Sequence, residues 1–164
     1  MAEPGMVIIG AGEAGAGAAT ALREYGWIGL VTLLGEETHP PYERPPLSKA
    51  VMLADDEPAL PLIGHGARFA DLSIAYIAAT RVTAIDRAAK TVRLDDGRAL
   101  PYAKLLLATG ARPRRMAIEG NEAILYLRSF SDALAVRSQL GPGRRLVIIG
   151  GGFIGLELDR KSVV

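Results

Sequence analysis

The chain has no cysteine among its 164 residues. Disulfide staples, thiolate metal sites and a CxxC redox pair are therefore excluded. Histidine is nearly absent too. His39 and His65 stand among Pro and Gly, with no second His or clustered carboxylates at ligand spacing. Both are read as solvated surface residues, and no metal is expected. Aromatic residues make up only 5%. No apolar run approaches the roughly 20 residues that a membrane-spanning helix needs, and the start MAEPGMVIIG has neither a basic leader nor a small-residue cleavage site. A cytoplasmic protein that does not enter a membrane is expected. The net charge is +1, so nothing pulls the chain toward nucleic acid or an anionic lipid surface. The excess of Arg over Lys, 15 to 4, is read as a genomic composition bias. What is present is an apolar half, 49% of residues, enough for a core.

Apolar periodicity organises that half. Met6–Ile9 is a short β-branched run ended by glycine, the pattern of a buried strand. Ala14–Tyr25 is Ala-rich with helical spacing and stops at Gly26, and Gly29–Leu34 is a second strand. Strand, helix, strand at this length is a βαβ unit, which predicts a parallel sheet. The prolines of EETHPPYERPPLSKAVML forbid regular structure until about Leu47. Ser73–Ala78 alternates weakly. Arg81–Ile85, Lys90–Leu94 and Lys104–Ala108 are strand-like, joined by turns at Asp86–Ala89 and DDGR, and predict an antiparallel meander feeding a buried strand. Ser131–Leu140 reads as an amphipathic helix with Ser131 as its N-cap. GPG at 141–143 is a break, Leu146–Ile149 a further buried strand, and a helix follows from Phe153. Two strand–glycine–helix units at irregular spacing indicate duplicated nucleotide-binding folds, not a repeat array.

Each glycine of the first cluster, Gly10-Ala11-Gly12-Glu13-Ala14-Gly15, has its own task. Gly10 turns the chain out of the strand, Gly12 lets the backbone touch a pyrophosphate, and Gly15 lets the helix lie close to the sheet. The helix N-terminus, at Glu13 and Ala14, then offers N–H groups and partial positive charge to the phosphates. Glu36 follows Gly15 by 21 residues, where a carboxylate accepts hydrogen bonds from an adenosine ribose; Glu37 is the neighbouring alternative. Gly150-Gly151-Gly152-Phe153-Ile154-Gly155 repeats the pattern. Two dinucleotide loops in one polypeptide pair most economically as a flavin and a nicotinamide.

The stretches VIIGAGEAGAGAATALREYGW, YERPPLSK, LLLATGARPR and LVIIGGGFIGLEL together resemble the FAD-dependent pyridine nucleotide-disulfide oxidoreductases, more narrowly the bacterial ferredoxin reductases. The likeness runs from about Met6 to Leu158, with YERPPLSK its most specific piece. It implies an α/β chain: a Rossmann-like FAD-binding domain of parallel sheet plus antiparallel meander, then the truncated start of a second Rossmann-like, NAD-binding domain. In that scheme 1–112 is the first FAD segment, 113–143 a connecting segment with a helix, and 144–158 the opening of the NAD(P) domain. FAD is the implied cofactor and NAD(P)H the co-substrate. Hydride passes from NADH to flavin N5, and electrons leave singly to a ferredoxin- or rubredoxin-type iron–sulfur protein serving an oxygenase. Among FAD contacts the resemblance places Gly10, Gly12, Glu13, Ala14, Gly15 and Glu36 at the adenosine diphosphate. It puts Arg44, Pro45 and Lys49 beside the flavin, Val82 at the adenine, and Ala108, Thr109, Gly110 and Arg112 against the cofactor. Gly150, Gly152, Phe153, Ile154 and Gly155 fall at the NAD loop.

Two catalytic candidates follow from the same likeness. Lys49 would stabilise charge on the reduced ring system, its alternative being a solvated lysine. Glu157 would be an acid near the nicotinamide, its alternative an ordinary helix glutamate. With no dithiol, a reduced flavin must deliver electrons to an external acceptor. Arg114 and Arg115 are read as a solvated charge pair before a ferredoxin-steering one. Two functional alternatives stay open: a related Cys-free flavoprotein oxidase or reductase, and a redox-linked binding protein like apoptosis-inducing factor. NADH against NADPH is also open. Residues 159–164, DRKSVV, are read as non-native. Helical apolar spacing stops at Leu158, and the codon string GAT CGG AAG AGC GTC GTG, which encodes the hexapeptide, resembles a short-read sequencing adapter. On that reading the chain alone is expected to hold residues after Gly143 loosely, to bind FAD poorly and to show no NADH-dependent ferricyanide reduction.

Overall fold

The computed structural model describes residues 4–63, 69–141 and 143–162. His65 lies outside the described residues. The chain divides into two compact units, Met1–Tyr42 with Leu62–Gly110, and Glu43–Pro61 with Ala111–Val164. No helix of the described residues is long and apolar enough to cross a membrane.

The first unit contains β1 (Met6–Ile9), α1 (Glu13–Glu24), β2 (Val31–Leu34), β3 (Ile74–Ile77), β4 (Val82–Asp86), β5 (Thr91–Leu94), β6 (Ala99–Pro101) and β7 (Lys104–Leu107). Four of these strands form a parallel sheet in the order β3-β2-β1-β7, with Met6 opposite both Val31 and Lys104. The runs MVII and VTLL are almost continuously apolar because both faces of this sheet are covered. Ile8, Val31 and Leu33 pack with Ala16 and Ala19 of α1, whereas Val7, Ile9 and Leu34 pack with Val92, Leu94 and Tyr102 on the other face. The alternation is the period of two that a pleated strand imposes. Small residues on the buried side of α1 bring the helix axis close to the sheet.

The Arg23 guanidinium fixes the exit from α1. It donates to the carbonyl oxygens of Trp27 at 2.6 Å, Gly29 at 2.8 Å, Leu72 at 2.9 Å and Ser73 at 2.7 Å. The turn after α1 is thereby tied to the approach of β3.

The second sheet of this unit is an antiparallel meander, β4-β5-β6. It differs from the sequence expectation in its third strand. After the DDGR turn, Ala99–Pro101 pairs with Thr91–Arg93, and only then does the chain pass to β7. The Lys104–Ala108 run therefore leaves the meander for the parallel sheet. The turn itself is built by Gly97 at φ 87° and by Asp96, which accepts from Arg98 N at 2.9 Å and Arg98 Nε at 2.6 Å. Those bonds and the adjacent cation hold the Asp96 carboxyl below the usual carboxylate range.

In the second unit, structure begins earlier than Leu47. A 3-10 turn spans Pro45–Ser48, and α2 (Ala50–Leu53) follows. Proline is tolerated in a first turn, where its missing N–H is not needed. The helix α3 (Phe130–Arg137) is capped by Ser129, not Ser131. Ser129 Oγ accepts from Asp132 N at 3.1 Å, and Asp132 Oδ2 accepts from Ser129 N at 2.7 Å. This reciprocal box needs an acid three residues after the cap, a spacing that only Ser129 has.

The expected strand at Leu146–Ile149 is not formed. Its residues join no ladder, and Val147 is 83% exposed. A strand exists only beside a partner, and none is present among the described residues. The helix α4 (Phe153–Ser162) does form, and its backbone continues past Leu158.

Candidate functional site

The first glycine cluster sits between β1 and α1, at the carboxyl ends of the parallel strands. The sheet order places β2 and β3 on one side of β1 and β7 on the other. The order therefore reverses between β1 and β7, which is where open α/β sheets bind ligands. Gly10 has φ 107°, and a Cβ built there would lie 2.2 Å from the Ala108 oxygen. It is thus pressed against the Ala108–Thr109 turn at the end of β7, while Ala108 N donates to Ile9 O at 2.8 Å. At Gly15 a Cβ would meet Gly10 O at 1.8 Å, so the helix approaches the turn as closely as backbone allows. At Gly12 a Cβ would meet nothing within 4 Å. Of the three, only this glycine faces open space, and it is the N-cap of α1 with no side-chain cap. The first intrahelical bond runs from Ala16 N to Gly12 O at 2.9 Å, so the amides of Glu13, Ala14 and Gly15 precede the helix's own ladder. Together these features make a cradle for an anion.

The two candidate ribose acids differ in environment. Glu37 Oε2 accepts from the buried Tyr42 hydroxyl at 2.5 Å, and the Glu37 carbonyl accepts from Ala79 N at 3.0 Å. Glu36 has a side chain 54% exposed and lies 3.6 Å from Arg81 Nη1. Thr80 N donates to Gly35 O at 2.8 Å, which lays the start of the meander beside Glu36 and sets Val82 nearby in sequence at the first position of β4. His39, expected to be a solvated surface residue, is half-buried instead. Its ring meets Tyr42 edge-on at 6.4 Å and its carbonyl accepts from Tyr76 Oη at 2.8 Å. Burial, and then the Glu37 carboxylate, push the Tyr76 phenol above its ordinary value.

The second glycine cluster repeats the first in backbone. Gly150 has φ 112°, and a Cβ at Gly155 would lie 2.8 Å from Gly150 O. Gly152 has open space, and Leu156 N donates to Gly152 O at 3.1 Å. Phe153 is 88% exposed, and Ile154 is exposed as well.

The sequence profile of one family, described as pyridine nucleotide-disulphide oxidoreductase, matches residues 4–159. The chain belongs to the pyridine nucleotide-disulphide oxidoreductase family. It is 45% identical over 155 residues to the ferredoxin–NAD(+) reductase component of the p-cumate 2,3-dioxygenase system of Pseudomonas putida, covering 93% of this chain and 38% of that protein. It is 41% identical to putidaredoxin reductase of Pseudomonas putida, covering 99% of this chain and 40% of the other. A crystal structure of a covalent putidaredoxin reductase–putidaredoxin complex superposes with a TM-score of 0.89 at 41% identity, again over 99% of this chain and 40% of that one. A ferredoxin reductase from Rhodopseudomonas palustris superposes at 0.88 with 37% identity, over 96% and 39%. The chain spans about two fifths of the length of these relatives.

The remaining site candidates of this family member, Gly110 apart, fall in its second unit. Arg44 Nη1 donates to Arg128 O at 2.5 Å, and Pro45 opens the 3-10 turn. Lys49 Nζ lies 3.1 Å from Glu157 Oε1, and Ser48 Oγ donates to Glu157 Oε2 at 2.5 Å. Lys49 is thus ion-paired and Glu157 doubly engaged. Gly110 closes the first unit at φ 66°, while Arg112 is exposed in the second. Arg115 lies over the Tyr126 ring at 5.4 Å. Sequence reasoning passed over Ser48, Tyr42 and Arg81. Their partners stand 109, 5 and 45 residues away, and no local pattern marks such pairs.

Proposed function

We propose that the chain supplies the first FAD-binding segment and the opening of the NAD(P)-binding domain of a cytoplasmic NAD(P)H:ferredoxin or rubredoxin reductase that serves an oxygenase. The observation that carries this reading is the cradle at Gly12: open space, uncapped helix amides and a topological switch point coincide there. The residues present fit an adenine dinucleotide. Bound FAD would supply the redox chemistry, accepting hydride from the nicotinamide and passing electrons singly to an iron–sulfur carrier. The amides of Glu13, Ala14 and Gly15 hold the diphosphate, and Gly10 keeps the Ala108–Thr109–Gly110 turn close against the cradle. Glu36 accepts from the ribose hydroxyls, a task for which Glu37 is less suited because Tyr42 already occupies its carboxylate. The Val82 backbone meets the adenine. In the second unit Arg44 and Pro45 shape the flavin-side segment, with Arg112 a further cofactor contact. Lys49 provides the cation beside the isoalloxazine, and Glu157 lies on the nicotinamide side. The loop Gly150–Gly155, with Phe153 and Ile154, takes the NAD(P)H diphosphate. These 164 residues contribute no cysteine to a dithiol relay, which agrees with delivery of electrons to a separate protein.

The test is a chimaera in which residues 4–159 replace the matching part of putidaredoxin reductase. A yellow protein with a flavin spectrum and NADH-dependent ferricyanide reduction is expected. A chimaera with native-like circular dichroism that retains no flavin refutes the assignment.

A further inference from the structure

We infer that Ser48 is a positioning residue: its buried hydroxyl anchors one carboxylate oxygen of Glu157, so that the other meets the Lys49 ammonium and the helix behind the second glycine loop is held in place. The inference rests on the preceding reading only in giving Glu157 a place beside the nicotinamide.

Four residues separate Phe153, where α4 starts, from Glu157, about one helical turn. Whatever grips this carboxylate therefore sets the helix end whose amides follow Gly150–Gly152. Leu146–Ile149 pairs with no strand among the described residues, and side chains of α4 contribute to the anchorage. Within the second unit α4 meets both the 3-10 turn and α2. Ser48 closes that turn, and the backbone on either side of it is fixed. Lys49 N donates to Pro46 O at 3.0 Å, and Met52 N and Leu53 N donate to Lys49 O at 3.0 and 3.2 Å. The hydroxyl is thus presented from a rigid junction.

The two donors to Glu157 are unequal. Ser48 is 5% exposed, whereas the Lys49 side chain is 53% exposed. An exposed ion pair is screened by water and salt and loses side-chain entropy on forming. A buried hydroxyl bonded to a carboxylate is charge-assisted and little screened. Ser48 therefore sets the position, and Lys49 follows the carboxylate.

Hydrogen exchange on the 164-residue chain tests this with no nucleotide present. Ser48→Ala is expected to speed exchange of the α4 amides about tenfold. Lys49→Met should speed it about threefold or less, and 0.5 M NaCl should act like Lys49→Met. Ser48→Thr, which keeps the hydroxyl, should restore protection. In a Glu157→Ala background Ser48→Ala should add nothing. The inference is overturned by an Ala effect no larger than that of Lys49→Met, by failure of Thr to rescue, or by an undiminished effect in the Glu157→Ala background. It also falls if α4 is unprotected in the unsubstituted chain, or if the amides of Met6–Ile9 accelerate equally, which would signal global unfolding. A flavin-free chimaera would refute the proposed function and leave this clamp standing.

Discussion

Two alanine substitutions in one loop separate the folding task of a glycine from its binding task. At Gly15 the new Cβ would stand 1.8 Å from Gly10 O and 3.4 Å from Ile8 Cγ2. Real Cβ atoms keep at least 3.0 Å from such an oxygen, so α1 must retreat from the strand by about 1.2 Å. Ala16 and Ala19, buried to 1% and 0% exposure against Ile8, would lose contact. Helix propensity favours alanine by about 1 kcal/mol. Overpacking costs about 1–3 kcal/mol, and the gap opened beneath the two alanines adds to it. Gly15→Ala is therefore expected to lose about 2 kcal/mol. At Gly12 the backbone is extended, φ −83° and ψ −169°, which any residue adopts, and the added methyl meets nothing. Losing glycine at an N-cap costs about 1 kcal/mol, offset by about 0.4–1 kcal/mol of reduced chain entropy in the unfolded state. Stability should change by less than about 1 kcal/mol. The methyl nevertheless occupies the approach to the helix amides. Each charge-assisted hydrogen bond it displaces is worth about 1.5–3 kcal/mol, or roughly 10- to 100-fold in affinity. Urea melts of the chain give the first quantity, and flavin retention by the chimaera gives the second. If Gly15→Ala melts with the unsubstituted chain, or Gly12→Ala keeps its flavin undiminished, the division of labour is wrong.

Further substitutions probe neighbouring features. Glu37→Ala would take the carboxylate acceptor from the hydroxyl of the buried Tyr42 and should cost about 1–3 kcal/mol in urea melts. Glu36→Ala should cost less than about 0.5 kcal/mol yet weaken flavin retention in the chimaera; the reverse outcome would move the ribose contact to Glu37. Ser129→Ala should destabilise by about 1 kcal/mol and Ser131→Ala by less than about 0.5 kcal/mol, both read from chemical denaturation. The Tyr76 phenol is raised in the folded state, so its contribution is fully present below the unfolded tyrosine value near pH 10 and is lost as pH climbs through the folded value. Stability measured between pH 9 and 12 should therefore fall, and Tyr76→Phe should flatten that alkaline decline; an unchanged slope would point to another group.

Elements encoded within a few residues were legible in the sequence. The βαβ unit could be read because MVII and VTLL are apolar on both faces, and the glycine turn because its residues must meet a backbone requirement within one loop. Elements that depend on distant partners were not. The short strand Ala99–Pro101 has only three residues and no pattern of its own; Thr91–Arg93 makes it a strand. Along the sequence helical spacing starts at Ser131, whereas the side chain of Asp132 selects Ser129 as the cap. The site followed the same division. Gly10, Gly12, Gly15 and the two acids are singled out by spacing, but their environments, with Tyr42 on Glu37 and Arg81 by Glu36, come from the folded chain.

The two glycine loops show where that division lies. Their turn angles agree, 107° at Gly10 and 112° at Gly150, and in each the first intrahelical bond closes onto the middle glycine. Yet Ile9 is 9% exposed between β2 and β7, while its counterpart Ile149 is 59% exposed, with no strand partner among the described residues. The glycine turn is therefore a local structure that glycine placement specifies by itself, and the sheet beneath it is a separate, non-local one. The sheet's contribution is to bring a second turn, Ala108–Thr109, against the first glycine. At Gly150 a Cβ would meet nothing within 4 Å among the described residues. The glycine spacing thus carries the backbone form of the loop whether or not a second turn is set against its first glycine.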